Sequence, residues 1–403
     1  MSVYRIRDSV ETLILITTRR TLLGLGGLGL FHGLLSACGG GGGNAGGPAL
    51  PFPPPAPAPA PAPAPSPAPA STWRMPDEGG AHRAVWMAFA ARESIWSAEL
   101  REPVQRALAR IANAISVHEP VKMLVNAEDA ATARQLCGSN VQLIEHPIDD
   151  LWMRDTGCVF VRNARGERAA VNFNFNGWGR KQPHARDATV AARMAGLAGV
   201  PLLRSRLVLE GGGIEVDGEG TAIVTESCVL NENRNPGVTK AAAEEELRRL
   251  LGLTKIIWLP GIANRDITDG HTDFYARFLK PGVVVAALDN DPESFDHAVT
   301  RRHLELLRTA TDARGRALRI VTLATPGRVR PIYARKEFAA GYVNFLLTDK
   351  ALFLPEFGDA AADGAARAAL SAELPSHQVV QLDIDAIAAG GGGIHCTTQQ
   401  EPA

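Results

Sequence analysis

The stretch Gly390-Gly391-Gly392-Gly393-Ile394-His395-Cys396-Thr397-Thr398-Gln399-Gln400 sets the terms on which the rest of the chain is read. Four consecutive glycines give backbone that another group can approach closely, and a cysteine follows in a segment able to present its sulfur near a base. Cys396 is the candidate nucleophile, since a thiol must become a thiolate to attack. His395 adjoins it, but on extended backbone neighbouring side chains point to opposite faces, which turns His395 away from the role of base.

Working outward, three more segments pair glycine with ionisable side chains: Asp149-Asp150-Leu151-Trp152-Met153-Arg154-Asp155-Thr156-Gly157, Leu209-Glu210-Gly211-Gly212-Gly213 and Thr268-Asp269-Gly270-His271-Thr272-Asp273. Loops at strand ends are where a rigid scaffold displays reactive groups. His271 is the candidate acid/base, with Asp273 two residues on and Asp155 elsewhere. A guanidinium presents five donors in a fixed fork and stays charged, so paired carboxylates are what it asks for. Taken alone, His271 reads equally as a structural histidine, and Asp155 beside Arg154 as a local ion pair.

The frame around these segments alternates strand and helix. Ala84 to Phe89 reads as a buried strand, and Ser97 to Val117 as an amphipathic helix with Leu100, Val104, Leu108, Ile111 and Ile115 on one face. Further strands are expected at 121–125, 141–145, 159–162, 170–175, 222–225, 255–259, 283–288, 342–347 and 351–354. Helices are expected at 128–136, 188–195, 239–251, 292–310 and 361–372. No second linker interrupts residues 72–403, which makes one α/β domain the economical reading. The chain has 403 residues with a net charge of −1, which argues against a binder that works by neutralising phosphates. Cys137, Cys158 and Cys228 sit in or beside strand and helix patterns as buried apolar thiols. The remaining histidines, among them His82, His118, His146, His184 and His377, show no metal-ligand spacing.

Six ordered strings carry a resemblance: Trp152-x-Arg154-Asp155-x-Gly157, Phe175-Asn176-x-Trp178-Gly179, Leu209-Glu210-Gly211-Gly212, Asn231-x-Asn233-Arg234-Asn235-Pro236, Gly270-His271-x-Asp273 and Gly390-Gly391-Gly392-x-Ile394-His395-Cys396-x-Thr398-Gln399-Gln400. Together they resemble the agmatine deiminase family, which includes the Porphyromonas-type peptidyl-arginine deiminases, from about Met75 to Gln400. The resemblance implies a pentein fold, a five-bladed α/β propeller of ββαβ modules around a central site, with no metal or organic cofactor. It implies Cys396 as nucleophile, His271 as acid/base, Asp155 and Asp273 as guanidinium clamps, and Glu210 as orienter of the histidine or guanidinium. Trp152 matches an aromatic packed on the substrate's methylene chain, and Trp178 joins the substrate-binding set. The implied reaction passes through a covalent thiouronium and, for agmatine, yields N-carbamoylputrescine for putrescine biosynthesis.

The chain departs from the pattern at one position. An acidic residue four places before the histidine meets the distal amine in the family, and here that place holds Ile267, preceded by Asp266. Agmatine leads as substrate, with peptidyl-arginine or another guanidino compound as alternatives and a non-catalytic ligand-binding surface propeller as the second alternative. A cysteine protease is disfavoured, since its helix-opening signature is absent and the carboxylates would have no role.

Residues 1–37 read as an address. Thr18-Arg19-Arg20-Thr21-Leu22-Leu23 resembles a twin-arginine motif, and Leu35-Ser36-Ala37-Cys38 resembles a lipobox, which makes Cys38 a lipidation site. Residues 38–71 hold twelve prolines between Pro48 and Pro69 and cannot bury a core. As polyproline II, Pro51 to Ala70 would hold residues 72–403 roughly 60 Å from a membrane. The expectation is an exported protein, lipid-anchored at the cell envelope on a periplasmic or surface face, with no nucleic-acid partner and a membrane contact only through that anchor.

Overall fold

The computed structural model describes residues 72–403, so the expected signal segment, Cys38 and the Pro-Ala tether lie outside the described residues. Within them one connection recurs. Two strands pair antiparallel, a helix carries the chain back, and a third strand joins parallel, because a parallel neighbour can be reached only by a crossover. Val159–Asn163, Arg168–Asn172, the helix Val190–Ala198 and Leu202–Arg204 make one such sheet, edged by Trp73–Arg74. Glu215–Val216, Thr221–Thr225, the helix Lys240–Leu251 and Lys255–Leu259 make the next. Ala276–Lys280, Val283–Leu288, the helix Asp296–Thr309 and Arg319–Ala324 follow, then Leu346–Leu347, Ala351–Glu356, the helix Ala360–Glu373 and Gln378–Asp383. The fifth sheet draws on distant stretches: Gln399–Pro402 pairs antiparallel with His82–Phe89, and Val121–Val125 and Val141–Glu145 add on parallel. All five sheets are open.

Packing explains why the elements form where they do. The strand His82–Phe89 is flanked on both sides and buried from Ala84 to Phe89, as a central strand of continuous apolar sequence should be. The helix Ala98–Ser116 buries Leu100, Val104, Leu108, Ile111 and Ile115, the face its periodicity marks, each contributing on the order of 1.5–3 kcal/mol. Asp359 and Thr239 cap their helices by accepting from Ala362 N and Ala242 N.

The structure trims two expected strands and adds several. The strand expected at 170–175 stops at Asn172, because Asn174 takes a positive φ of 57° and its N–H donates to Asn172 Oδ1. Only Leu346–Leu347 remains of 342–347, since Asn344 turns inward to the site. The helix expected from 292 begins at Asp296. Ala276–Lys280, Arg319–Ala324, Gln378–Asp383 and Gln399–Pro402 are unanticipated strands; Arg319–Ala324 is a half-exposed edge whose pattern lacks a clean period of two. Cys158 and Cys228 are buried as expected, whereas Cys137 is only half-buried, its Sγ 3.8 Å from Met123 Sδ. Among the described residues no helix is long and apolar enough to cross a membrane.

Candidate active site

Each of the five sheets is entered through a turn, and each turn carries a polar residue two to five positions ahead of the sheet's first antiparallel strand. Asp155 precedes Val159–Asn163, Glu210 precedes Glu215–Val216, His271 and Asp273 precede Ala276–Lys280, Asn344 precedes Leu346–Leu347, and Cys396 precedes Gln399–Pro402. All are buried. Three of them meet at Gly212, where a side-chain carbon would stand 2.6 Å from His271 Nδ1, 2.8 Å from Asp155 Oδ1 and 3.1 Å from Asp273 Oδ2. Only glycine leaves that space open.

One half of the cluster is built on Glu210. Its Oε2 lies 3.1 Å from His271 Nε2, and both its oxygens accept from Arg234 Nε, at 2.9 and 3.0 Å. Arg234 is fixed in turn by Asp269 at 2.7 Å, which also takes Lys181 at 2.7 Å. Burial would raise Glu210, but the Arg234 charge and the His271 bond hold it below the usual carboxylate range. Burial would likewise lower His271, yet Asp155 and Glu210 hold the imidazole well above its ordinary value, as a proton donor. His271 Nδ1 stands 3.7 Å from Asp155 Oδ1 and has no hydrogen-bond partner. Asp155 accepts from Trp178 Nε1 at 2.9 Å and Gly212 N at 3.1 Å, and burial pushes it up to about 6, opposed by His271.

The other half is built on Asp273. Cys396 Sγ lies 3.5 Å from Asp273 Oδ2 and accepts from Asn344 Nδ2 at 3.2 Å, while Asn344 Oδ1 accepts from Cys396 N. Burial first, then the Asp273 and Asp155 charges, push the Cys396 thiol well up. The expectation for His395 is corrected here. Residues 394–397 form a turn rather than extended backbone, with Thr397 N bonded to Ile394 O, so His395 and Cys396 converge. His395 Nδ1 is 2.8 Å from the same Asp273 Oδ2, and its Nε2 is 2.9 Å from Glu78 Oε2. Arg154 does not pair with Asp155. Its guanidinium reaches Glu78 at 2.9 Å and Gln400 at 2.7 Å, because successive residues of the helical turn Met153–Thr156 point in different directions.

Aromatic rings line the approach. Trp152 and Trp96 stand with centroids 6.0 Å apart, and Trp96 Nε1 donates to the buried Asp150 at 2.8 Å. A side chain at Gly392 would fall inside the Trp152 ring and one at Gly390 inside the Trp96 ring, which accounts for the glycine run. Trp178 adopts φ 54°, ψ 48°, a left-handed conformation that costs a bulky residue about 1–3 kcal/mol and here aims its N–H at Asp155. Ile267 packs partly buried against the main core, and its carbonyl accepts from Lys181 Nζ at 3.0 Å. Asp266 beside it has one oxygen engaged, its Oδ1 accepting from Thr268 N at 2.6 Å.

Glu78, Asn344, Arg277 and Trp96 were not anticipated from sequence. Asn344 gave no signal, since it lies inside the strand expected at 342–347 and precedes a strand only once that strand is trimmed to Leu346–Leu347. Glu78-Gly79-Gly80 repeats the pattern of Glu210-Gly211-Gly212. Among the described residues, Glu210, Cys228 and His271 bring ligand-type atoms within 4.8 Å of one another. Arg234 bonded to both oxygens of Glu210 opposes a cation there.

This arrangement can be compared with known proteins. The sequence model of the Porphyromonas-type peptidyl-arginine deiminases matches residues 74–402. This chain belongs to that family. The agmatine deiminase of Ectopseudomonas mendocina is 38% identical over 83% of this chain and 96% of its own length, and that of Pseudomonas fluorescens is 37% identical over 82% and 95%. The solved agmatine deiminase of Enterococcus faecalis superposes with a TM-score of 0.78 at 32% identity, covering 82% of this chain and 96% of that one. The protein is a hydrolase acting on the C–N bonds of amidines, with the α/β fold of the guanidino-group deiminases.

Proposed function

We propose that this chain deiminates agmatine to N-carbamoylputrescine and ammonia, with Cys396 as the attacking group, His271 as acid and base, and Asp155 and Asp273 as the guanidinium clamp, a reaction that feeds putrescine synthesis. The observation that carries the reading is the burial of one imidazole and two carboxylates around Gly212, with one buried thiol 3.5 Å from the second carboxylate. The five sheets, each supplying a residue, support reading them as blades of a propeller about this point.

The chemistry follows from the charges. In the free protein the thiol keeps its proton, since two carboxylates face it in a buried space. A guanidinium cation between Asp155 and Asp273 reverses that local charge and favours the thiolate, the thiol proton passing to solvent as the cation enters. Sulfur bonds to the guanidinium carbon, and a C=N electron pair moves onto nitrogen. His271, held protonated, gives its proton to the departing amine, ammonia leaves, and a thiouronium remains. The now neutral His271 takes a proton from water, whose oxygen attacks the same carbon. The C–S bond breaks as the remaining hydroxyl proton of the adduct passes to solvent, releasing the ureido product and the thiolate. Trp152 and Trp178 suit the rim of the clamp and the methylene chain.

One observation favours a second reading. At the place of the family's acid stands Ile267, with the Lys181 ammonium 3.0 Å from its carbonyl, a positive charge that opposes a distal ammonium there. An arginyl peptide or another guanidino compound lacks need of that contact. The deciding experiment measures ammonia and ureido product from agmatine, a blocked arginine peptide and free arginine, using the full chain. Turnover of one, abolished in Cys396→Ala, supports the reading; turnover retained by Cys396→Ala ends it.

The proposal extends to location: export by the twin-arginine route, lipidation of Cys38 and attachment to the envelope through the Pro-Ala tether. Fractionation tests this, since Cys38→Ala should move the protein from the membrane pellet to the soluble fraction.

A further inference from the structure

His395 is 1% exposed and has a carboxylate oxygen at each ring nitrogen, Asp273 Oδ2 at 2.8 Å and Glu78 Oε2 at 2.9 Å. A ring satisfies two carboxylates at once only as the imidazolium, which donates from both nitrogens. Such a ring has no lone pair with which to take the proton of Cys396, so any role it has runs through Asp273. Glu78 cannot drift. Its Oε2 accepts from Arg154 at 2.9 Å, its Oε1 lies 2.8 Å from Arg277 Nη2, and Leu347 N donates to Oε1 at 2.8 Å. Arg277 is itself anchored to Glu215 at 3.0 Å and to the Phe345 carbonyl.

The consequence falls on the two oxygens of Asp273. Oδ2 is engaged by His395 and faces the thiol, whereas Oδ1 is buried and has no partner. A buried carboxylate oxygen without a donor is costly to leave bare, and one held in place by bonds to its twin is an aimed acceptor. We infer that His395, seated on Glu78, is a positioning residue that pins Asp273 through Oδ2 so that Oδ1 alone is offered to an N–H of the bound guanidinium. The inference rests on the deiminase reading and adds to it a residue that reading leaves without a task.

The test compares steady-state KM and kcat for agmatine in the full chain for His395→Ala, His395→Asn and Glu78→Gln, with Cys396→Ala alongside. The Asn amide stands where Nδ1 does and keeps a donor to Asp273, though not the charge. His395→Ala is expected to raise KM at least about tenfold with a smaller fall in kcat, and His395→Asn to bring KM back to within about threefold of the parent. A purely structural ring would lower the melting temperature in both variants and leave the KM of the folded fraction unchanged, which overturns the inference. If His395→Ala does not fold, Glu78→Gln decides: it keeps the shape against Nε2 without the charge, and a KM equal to the parent's overturns the proposal. Turnover by Cys396→Ala would defeat the deiminase reading itself. An inactive Cys396→Ala beside a His395→Ala of parental KM would defeat only the role given to His395.

Discussion

Two rows of charged groups meet at the thiol, and they are built from the same parts. One runs Arg234, Glu210, His271, Asp155; the other runs Arg154 with Arg277, then Glu78, His395, Asp273. The rows differ at one contact. His395 closes on its aspartate at 2.8 Å, whereas His271 stops 3.7 Å short and keeps Nδ1 without a partner. A ring with an open nitrogen can pass a proton, and a ring closed at both ends can only hold its neighbour still. The second row also ends in two arginines where the first ends in one. The same residue types thus produce an open ring and a closed one, separated by that contact distance and by the number of arginines behind each.

The largest effect that would break this comparison is at the open ring. His271→Asn should lower kcat roughly 10²–10⁴-fold with little change in KM, measured as ammonia release; a loss no greater than that of His395→Asn would make the rows equivalent. Next comes stability. Arg234→Met leaves Glu210 with His271 alone and Asp269 with Lys181 but no guanidinium, and should cost about 3–5 kcal/mol in denaturant unfolding, while Arg154→Met should cost at least about 1 kcal/mol less because a second arginine, Arg277, still faces Glu78. Equal losses would show that the second arginine adds nothing.

Acid should distinguish the rows as well. Asp155 is raised to about 6 by burial, whereas Asp273 is lowered: burial opposes this, and the His395 bond and charge outweigh it. As pH falls through 6, Asp155 takes up a proton and loses its attraction for a cation, while Asp273 keeps its charge. KM for a guanidinium substrate should therefore rise below pH 6, approaching about tenfold per pH unit. A KM flat from pH 7 to 5 would contradict this. The smallest effect lies outside both rows: Ile267→Glu should lower KM for agmatine about threefold, and an unchanged KM would remove the distal-amine argument.

The first row was largely legible in the sequence. Asp155, Glu210 and His271 each stand in a short glycine-containing string, and Asp273 and Cys396 likewise. The second row was not, for reasons of chain geometry. Glu78 meets His395 across a sequence separation of 317, a pairing no local pattern encodes. Arg154 was visible but given the wrong partner, because adjacency in sequence is not adjacency around a helical turn. His395 was misdirected by assuming extended backbone where the chain turns. The sheets were legible where strands are buried on both faces, as at His82–Phe89, and missed where a half-exposed edge is stabilised only by its neighbour, as at Arg319–Ala324.

The pairing of Gln399–Pro402 with His82–Phe89 has a consequence in time. The ribosome makes the chain from its N-terminal side, so the strand at His82–Phe89 waits for its antiparallel partner until more than three hundred further residues have been made. Cys396 emerges three residues ahead of that partner, after Glu78, Asp155, Glu210, His271, Asp273 and Asn344 are already available. On the proposed mechanism, a nascent polypeptide that has not reached this point is chemically silent, whatever it has already folded. The sulfur proposed to react and the strand that seats it arrive together, which would make maturation and activation a single event.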